Sequence, residues 1–392
     1  MDETREVGVE FTRLMYDLAT SPSMTRTQAV EQLRRDAHLR TVRETLARYA
    51  HIPANDTKNI QSFFTEKLLD HSPPGTKRDT VRRKVQMWLN GNIQSISKEG
   101  AIQLSFALGL SPEDANPFLH RTCGEGFHWR DPEELVFLYA LRDGMTYPQA
   151  TALRDSLREK KLLSSGNGNT EAFTNHVRQD AEQITSIEEL EDYLRQFQGQ
   201  LGSFHNTAYS LFQEYLNLLC APEINDMLDP DKKISVRDVT ATYLHESILS
   251  RFKSAAKENP IAEKQIVSAL QRDIQQNWPD EIALSRMLHR KTDISRKALI
   301  LLFLATDGGS SSDVMDDDLL EEDEEDEDFE SRYARLNAML CDCGFAPLDS
   351  RSPFDWMIIY CMCIEDAMFI DAEIEAFLGV VFFQQPAGIE EA

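Results

Sequence analysis

The chain has 392 residues, of which 41% are hydrophobic, with 41 Lys and Arg against 66 Asp and Glu and a formal net charge of -25. This apolar content is enough for real cores and excludes disorder throughout, and the length fits two to three domains of about 100 to 200 residues each. Apolar runs such as Ala298 to Ala305 are far short of the roughly 20 residues a membrane helix needs, and MDETREVGVEF has neither the basic nor the apolar stretch of a secretory leader. The expected compartment is therefore the cytoplasm, with no membrane partner.

The charge is unevenly spread. Residues Met1 to Gly100 hold 16 basic and 13 acidic side chains, a balance of +3, which leaves -28 for the remainder. Helical periodicity dominates from the start: Leu33, Ala37, Leu39, Val42, Leu46 and Tyr49 fall near one face. Breakers then cut the chain into short to medium helices, at Ile52-Pro53, Ser72-Pro73-Pro74-Gly75, Asn90-Gly91, Ser111-Pro112, Asp131-Pro132, Tyr147-Pro148 and the Ser164 to Asn169 stretch. Between two of them lies RDTVRRKVQMWLNG, a cationic helix closed by a turn and followed by a compact apolar helix ending in Ala-Leu-Gly-Leu. From Lys77 to Glu99, Lys77, Arg78, Arg82, Arg83, Lys84 and Lys98 face only Asp79 and Glu99. Such a local field recruits phosphate while the acidic remainder repels it. Ser111-Pro112-Glu113-Asp114 and Asp131-Pro132-Glu133-Glu134 each place a cap, a first-turn proline and carboxylates where the helix dipole favours them.

Further on, Phe212, Tyr215, Leu216 and Leu219 mark a middle helix, and Ala221-Pro222, Asn259-Pro260 and Trp278-Pro279 are the later breaks. From Asp313 to Glu330 there are 13 acidic residues and no basic ones, so self-repulsion should keep a 307–330 loop extended and solvated. A repeat emerges once that loop is set aside. ISKEGAIQLSFAL from Ile96 is similar to ISRKALILLFLAT from Ile294, and each is followed by Cys-Gly and a proline-started helix with tyrosine seven residues on, Pro132 to Tyr139 and Pro353 to Tyr360. The expected architecture is all-α and multi-helical. An N-terminal helix-turn-helix-like domain is expected over 1–165, a helical middle over 171–258 and a related C-terminal helical unit over 261–392, interrupted by the acidic loop.

Trp88-Leu89-Asn90-Gly91, Ala107-Leu108-Gly109-Leu110 and the stretch Met339 to Leu348 together resemble the Xre/Cro type of helix-turn-helix regulator. The resemblance covers about a fifth of the chain in the first unit and a similar share in the second. It implies that the helix near Lys77 to Leu89 is a reading helix, with Lys77, Arg78, Arg82 and Arg83 contacting phosphates or base edges. The chain departs from the family in a longer preceding helix, about Lys58 to Leu69, and an oversized His71 to Gly75 turn. In the second unit, Arg286, Arg290 and Lys291 sit beside the acidic loop, which suits a degenerate, protein-facing copy.

Catalytic and metal chemistry is not assembled. Cys361 and Cys363 would lie on different sides of a helix, so buried thiols are expected rather than a zinc site with Cys341 and Cys343. His245-Glu246 lacks a second histidine at metalloprotease spacing and is expected on an amphipathic helix with Tyr243 and Ile248. Asp229-Pro230-Asp231 lacks the glycine and the bidentate glutamate of a calcium loop, and no phosphate-binding glycine loop occurs. The expected protein is a non-catalytic, cofactor-free regulator whose basic helix contacts duplex DNA, with a protein partner at the acidic loop or the C-terminal unit. The rival reading is a helical adaptor in which the same arginines are buried against carboxylates.

Overall fold

A computed structural model describes residue 28 and residues 41–90, 95–163, 174–202, 204–220, 234–251, 271, 274–307, 329–364 and 370–383. The fold is all-α, with no strand among the described residues. The Ser164 to Asn169 stretch, the Asp229-Pro230-Asp231 sequence and most of the acidic loop lie outside them. By its contacts the chain divides into two compact units. The first takes in Arg40–Asn206 and Asp342–Ala346, the second Thr207–Cys341 and Pro347–Ala392.

This division differs from the three regions expected. The break expected at 165–171 falls at Asn206 instead, because the helix after it contributes to the first core. Ser186 caps that helix, α9 (Ile187–Phe197), which buries Leu190 and Leu194 in the core cluster beginning at Val42. Arg142 adds a tether, donating to the backbone carbonyls of Ala181 and Ile184.

The first unit opens with α1 (Val42–Ala50), set by a capping box in which the Thr41 hydroxyl accepts from Glu44 N while Glu44 accepts from Thr41 N. Of the apolar series from Leu33 to Tyr49, Leu33, Ala37 and Leu39 lie outside the described residues, and α1 begins only after the extended Thr41. The helix stops at His51, whose φ of 54° is left-handed. Next come α2 (Thr57–Asp70), α3 (Arg78–Trp88), α4 (Lys98–Leu108), α5 (Pro112–Cys123), α6 (Pro132–Arg142) and α7 (Tyr147–Glu159). Their caps are those the sequence carries, with Ser97 accepting from Gly100 N, Ser111 from Asp114 N and Asp131 from Glu133 N and Glu134 N. Helix α4 is the centre, packing on α2, α5, α6 and α7, with Leu104 and Ala101 fully excluded from water. Burying aliphatic and aromatic side chains of this kind stabilises by about 1.5 to 3 kcal/mol each. Helix α8 spans Thr174–Gln183.

The second unit contains α10 (Asn206–Cys220), which buries Phe212, Leu216 and Leu219 as its periodicity predicts, then α11 (Val236–Thr242), α12 (Glu281–Leu288) and α13 (Arg296–Asp307). It continues with α14 (Phe329–Asp342), α15 (Pro353–Met362) and α16 (Ile370–Phe383). Every residue of α15 is buried, and it packs on α16. His245 does not ride on one helix with Tyr243 and Ile248: α11 ends at Thr242 with Tyr243 as its C-cap, and His245, left-handed at φ 49° and buried, lies before the helical stretch that holds Ile248. Cys361 lies in α15 and Cys363 is its C-cap, both buried. Burial pushes the Cys343 and Cys363 thiols up to about 12, so they stay protonated near neutral pH.

Candidate nucleic-acid interface

The sequence places α3 between two turns, and packing determines which of its sides faces outward. Val81, Val85 and Trp88 recur at helical spacing and are all buried. The opposite side carries two exposed rows, Arg78, Arg82 and Gln86 at four-residue spacing, and Asp79, Arg83 and Met87 beside them. Met87 is 59% exposed, an unusual position for a large apolar side chain.

All four cations singled out from the sequence are exposed on or at the start of this helix, but they do not form an uninterrupted positive row. Arg78 is paired with Glu66 of α2, and Arg82 with Asp79 at 3.4 Å. These pairs stay open to water, with Arg78 and Arg82 side chains 62% and 58% exposed, so each contributes at most about 1 kcal/mol and is easily exchanged for another anion. Lys77 and Arg83 have no ion pair among the described residues. The outer face thus retains one uncompensated cation, Arg83, two weakly held guanidinium groups and the amide of Gln86, with the exposed Lys77 at the start of the helix.

Two other cations of the stretch are turned inward. Lys98 pairs with Glu134 at 2.6 Å, where both are largely buried, and binds α4 to α6. Burial raises the Glu134 carboxyl and Lys98 opposes that rise. Lys84 lies 5.0 Å over the Trp88 ring and donates to Gln103 Oε1 at 3.0 Å; burial lowers its pKa.

The Lys84 contact belongs to a brace that fixes α3. Gln103 of α4 receives Lys84 on its carbonyl and donates from Nε2 to the His71 carbonyl at 3.3 Å, tying the end of α2 to the side of α3. Gln61 of α2 donates to the Arg82 carbonyl at 3.3 Å. Trp88 packs flat on α4 because position 100 is glycine: a Cβ there would meet the indole at 3.2 Å. The oversized turn is itself ordered, with Thr76 donating from both N and Oγ1 to the Pro73 carbonyl and Gly75 at φ 87°. Side chains of the neighbouring helices thus fix the placement of α3.

Gln86 and the Gln103 brace were missed in the sequence, and Met87, expected from its place beside Trp88 and Leu89 to help plug the core, is exposed while those two neighbours are buried. The spacing from Arg78 and Arg82 could have flagged Gln86, whereas Gln103 and Glu66 act from other helices and leave no local signal. No protein-family model matches this chain, and neither do any curated proteins or solved structures.

Proposed function

We propose that the chain is a non-catalytic nucleic-acid-binding regulator that meets duplex DNA with the outer face of α3. The observation that carries this reading is the uncompensated pair Lys77 and Arg83, displayed with Arg82 and Gln86 on a helix that Gln103, Gln61 and Trp88 hold rigid. The width of B-DNA's major groove admits one helix, arginines and lysines neutralise its phosphates, and a glutamine amide can donate to and accept from an adenine edge. Chemistry is not needed for such a role. The acidic remainder then limits unspecific attachment by repelling phosphate elsewhere on the chain. Among the described residues no helix is long and apolar enough to cross a membrane.

The adaptor reading draws on two observations, the pairing of Arg78 with Glu66 and of Arg82 with Asp79, and the exposed Met87 at the edge of the cationic face. A gel-shift titration of the purified chain against duplex DNA and duplex RNA, at two ionic strengths, separates the two. The regulator reading expects DNA binding that weakens steeply with salt and falls at least about tenfold in Arg82→Glu/Arg83→Glu. Unchanged affinity in that variant would leave the adaptor.

A further inference from the structure

The second unit repeats the internal bonding of the first at shifted positions. In the first unit Asn116 Oδ1 accepts from Phe127 N at 2.8 Å, and the Glu134 carboxylate accepts from His128 N at 2.6 Å. In the second, Asn337 Oδ1 accepts from Leu348 N at 2.7 Å, and the Asp355 carboxylate accepts from Asp349 N at 2.9 Å. Each acceptor carboxylate is also paired with a cation at the start of the central helix, Lys98 with Glu134 at 2.6 Å and Arg296 with Asp355 at 2.7 Å. One residue before each cation, a serine caps that helix, Ser97 on Gly100 N and Ser295 on Ala298 N, both at 3.2 Å.

The match extends to the beginning of each unit, beyond the repeat legible around Ile96 and Ile294. Thr41-Val42-Arg43-Glu44 and Ser235-Val236-Arg237-Asp238 both form capping boxes, followed at equal distance by Tyr49 and Tyr243 and by the left-handed histidines His51 and His245. Packing agrees as well, since α6 lies on α7 and α15 on α16, while α4 contacts α7 and α13 contacts α16. Isolated helical likeness is common by chance. A shared set of side-chain-to-backbone bonds, each at its own spacing, is not.

The outer helices are where the copies part. Aligning the buried pair Val85 and Trp88 of α3 with Leu284 and Met287 of α12 puts Glu281 at the place of Arg82, Ile282 at that of Arg83 and Ala283 at that of Lys84. Ile282 is 70% exposed, and Glu281 brings a carboxylate to the side that would face phosphate. Arg290, beyond the helix, is stacked 4.4 Å over Tyr209, whose hydroxyl donates to the Leu288 carbonyl.

We infer that the chain carries the same module twice, that only α3 meets nucleic acid, and that each chain therefore engages a single segment of duplex groove through one helix. This rests on the function proposed above. The test measures affinity for a short duplex against salt concentration for the full chain, for Arg82→Glu/Arg83→Ile, which writes the pattern of α12 onto α3, and for Glu281→Ala/Ile282→Ala/Arg286→Ala. Thermal melting checks that each variant is folded. The first variant is expected to lose at least about tenfold in affinity and about two from the salt slope, and the second to stay within about twofold of the parent. A loss in the α12 variant as large as in the α3 variant would overturn the single-helix assignment while leaving duplex binding standing. A parent chain with no salt-dependent duplex binding would remove the functional reading and this inference together.

Discussion

The two ion-paired centres, Lys98 with Glu134 and Arg296 with Asp355, do the same job at different depths. In the first, the lysine is 25% and the glutamate 15% exposed, and the lysine also lies 3.8 Å from Glu125. In the second, the arginine grips both oxygens of an aspartate only 4% exposed and donates a further bond to the Pro347 carbonyl. The surroundings differ in the same sense, since α15 is buried along its whole length whereas α6 ends on the exposed Arg142. A common scaffold has thus been kept in both units. In the second it is drier and more rigidly fixed, and in the first it supports a helix whose outer face is left to polar and cationic groups.

The largest expected effect tests that difference in depth. Arg296→Met strands the Asp355 carboxylate in the interior and should cost about 3 to 5 kcal/mol in denaturant unfolding, whereas Lys98→Met, with its partner nearer water, should cost about half as much. Equal costs would break the comparison. Next come the paired asparagines. Asn116→Ala and Asn337→Ala each leave a backbone N–H without its partner, so each should destabilise its own unit by about 1 to 3 kcal/mol.

A pH test sharpens the comparison, because the position of His128 is Asp349 in the second unit. His128 is buried, lies against His205 with ring centres 4.0 Å apart and the rings tilted by 48°, and is held well below the usual histidine range by burial, with His205, Lys98 and Arg130 adding to the effect. A histidine neutral in the folded state favours folding above its unfolded value near 6.5, and this contribution is lost as pH falls below it. Asp131 and Glu134, both raised by burial, run the other way but only nearer the carboxylate range. Between about pH 6.5 and 5 the first unit should therefore lose stability, and His128→Gln should flatten that loss in melting curves. The smallest expected effect is at the caps, where Thr41→Ala and Ser235→Ala should each cost about 1 kcal/mol.

Local chemistry was the most legible part of the sequence. Proline-started helices, serine and aspartate caps and the apolar stripe of α10 stand where spacing puts them, because each is decided within one turn of its own residue. The likeness of Thr41 to His51 and Ser235 to His245 escaped notice because capping accepts Ser for Thr and Asp for Glu, leaving few identities over a short helix. Glu66 on Arg78 and Gln103 on Lys84 join residues of separate helices, so no periodicity announces them. Charge counting consequently overstated the positive face: of the six cations from Lys77 to Lys98, Lys84 and Lys98 turn inward, and Arg78 and Arg82 share their charge with neighbours.

The slope of log affinity against log salt for the full chain on a short DNA duplex tests the central claim most directly. Lys77, Arg82 and Arg83 meeting phosphate predict a slope of about -3, reduced by about one in Arg83→Ala. A slope near zero, or one that Arg83→Ala leaves untouched, would contradict the assignment of α3 to nucleic acid.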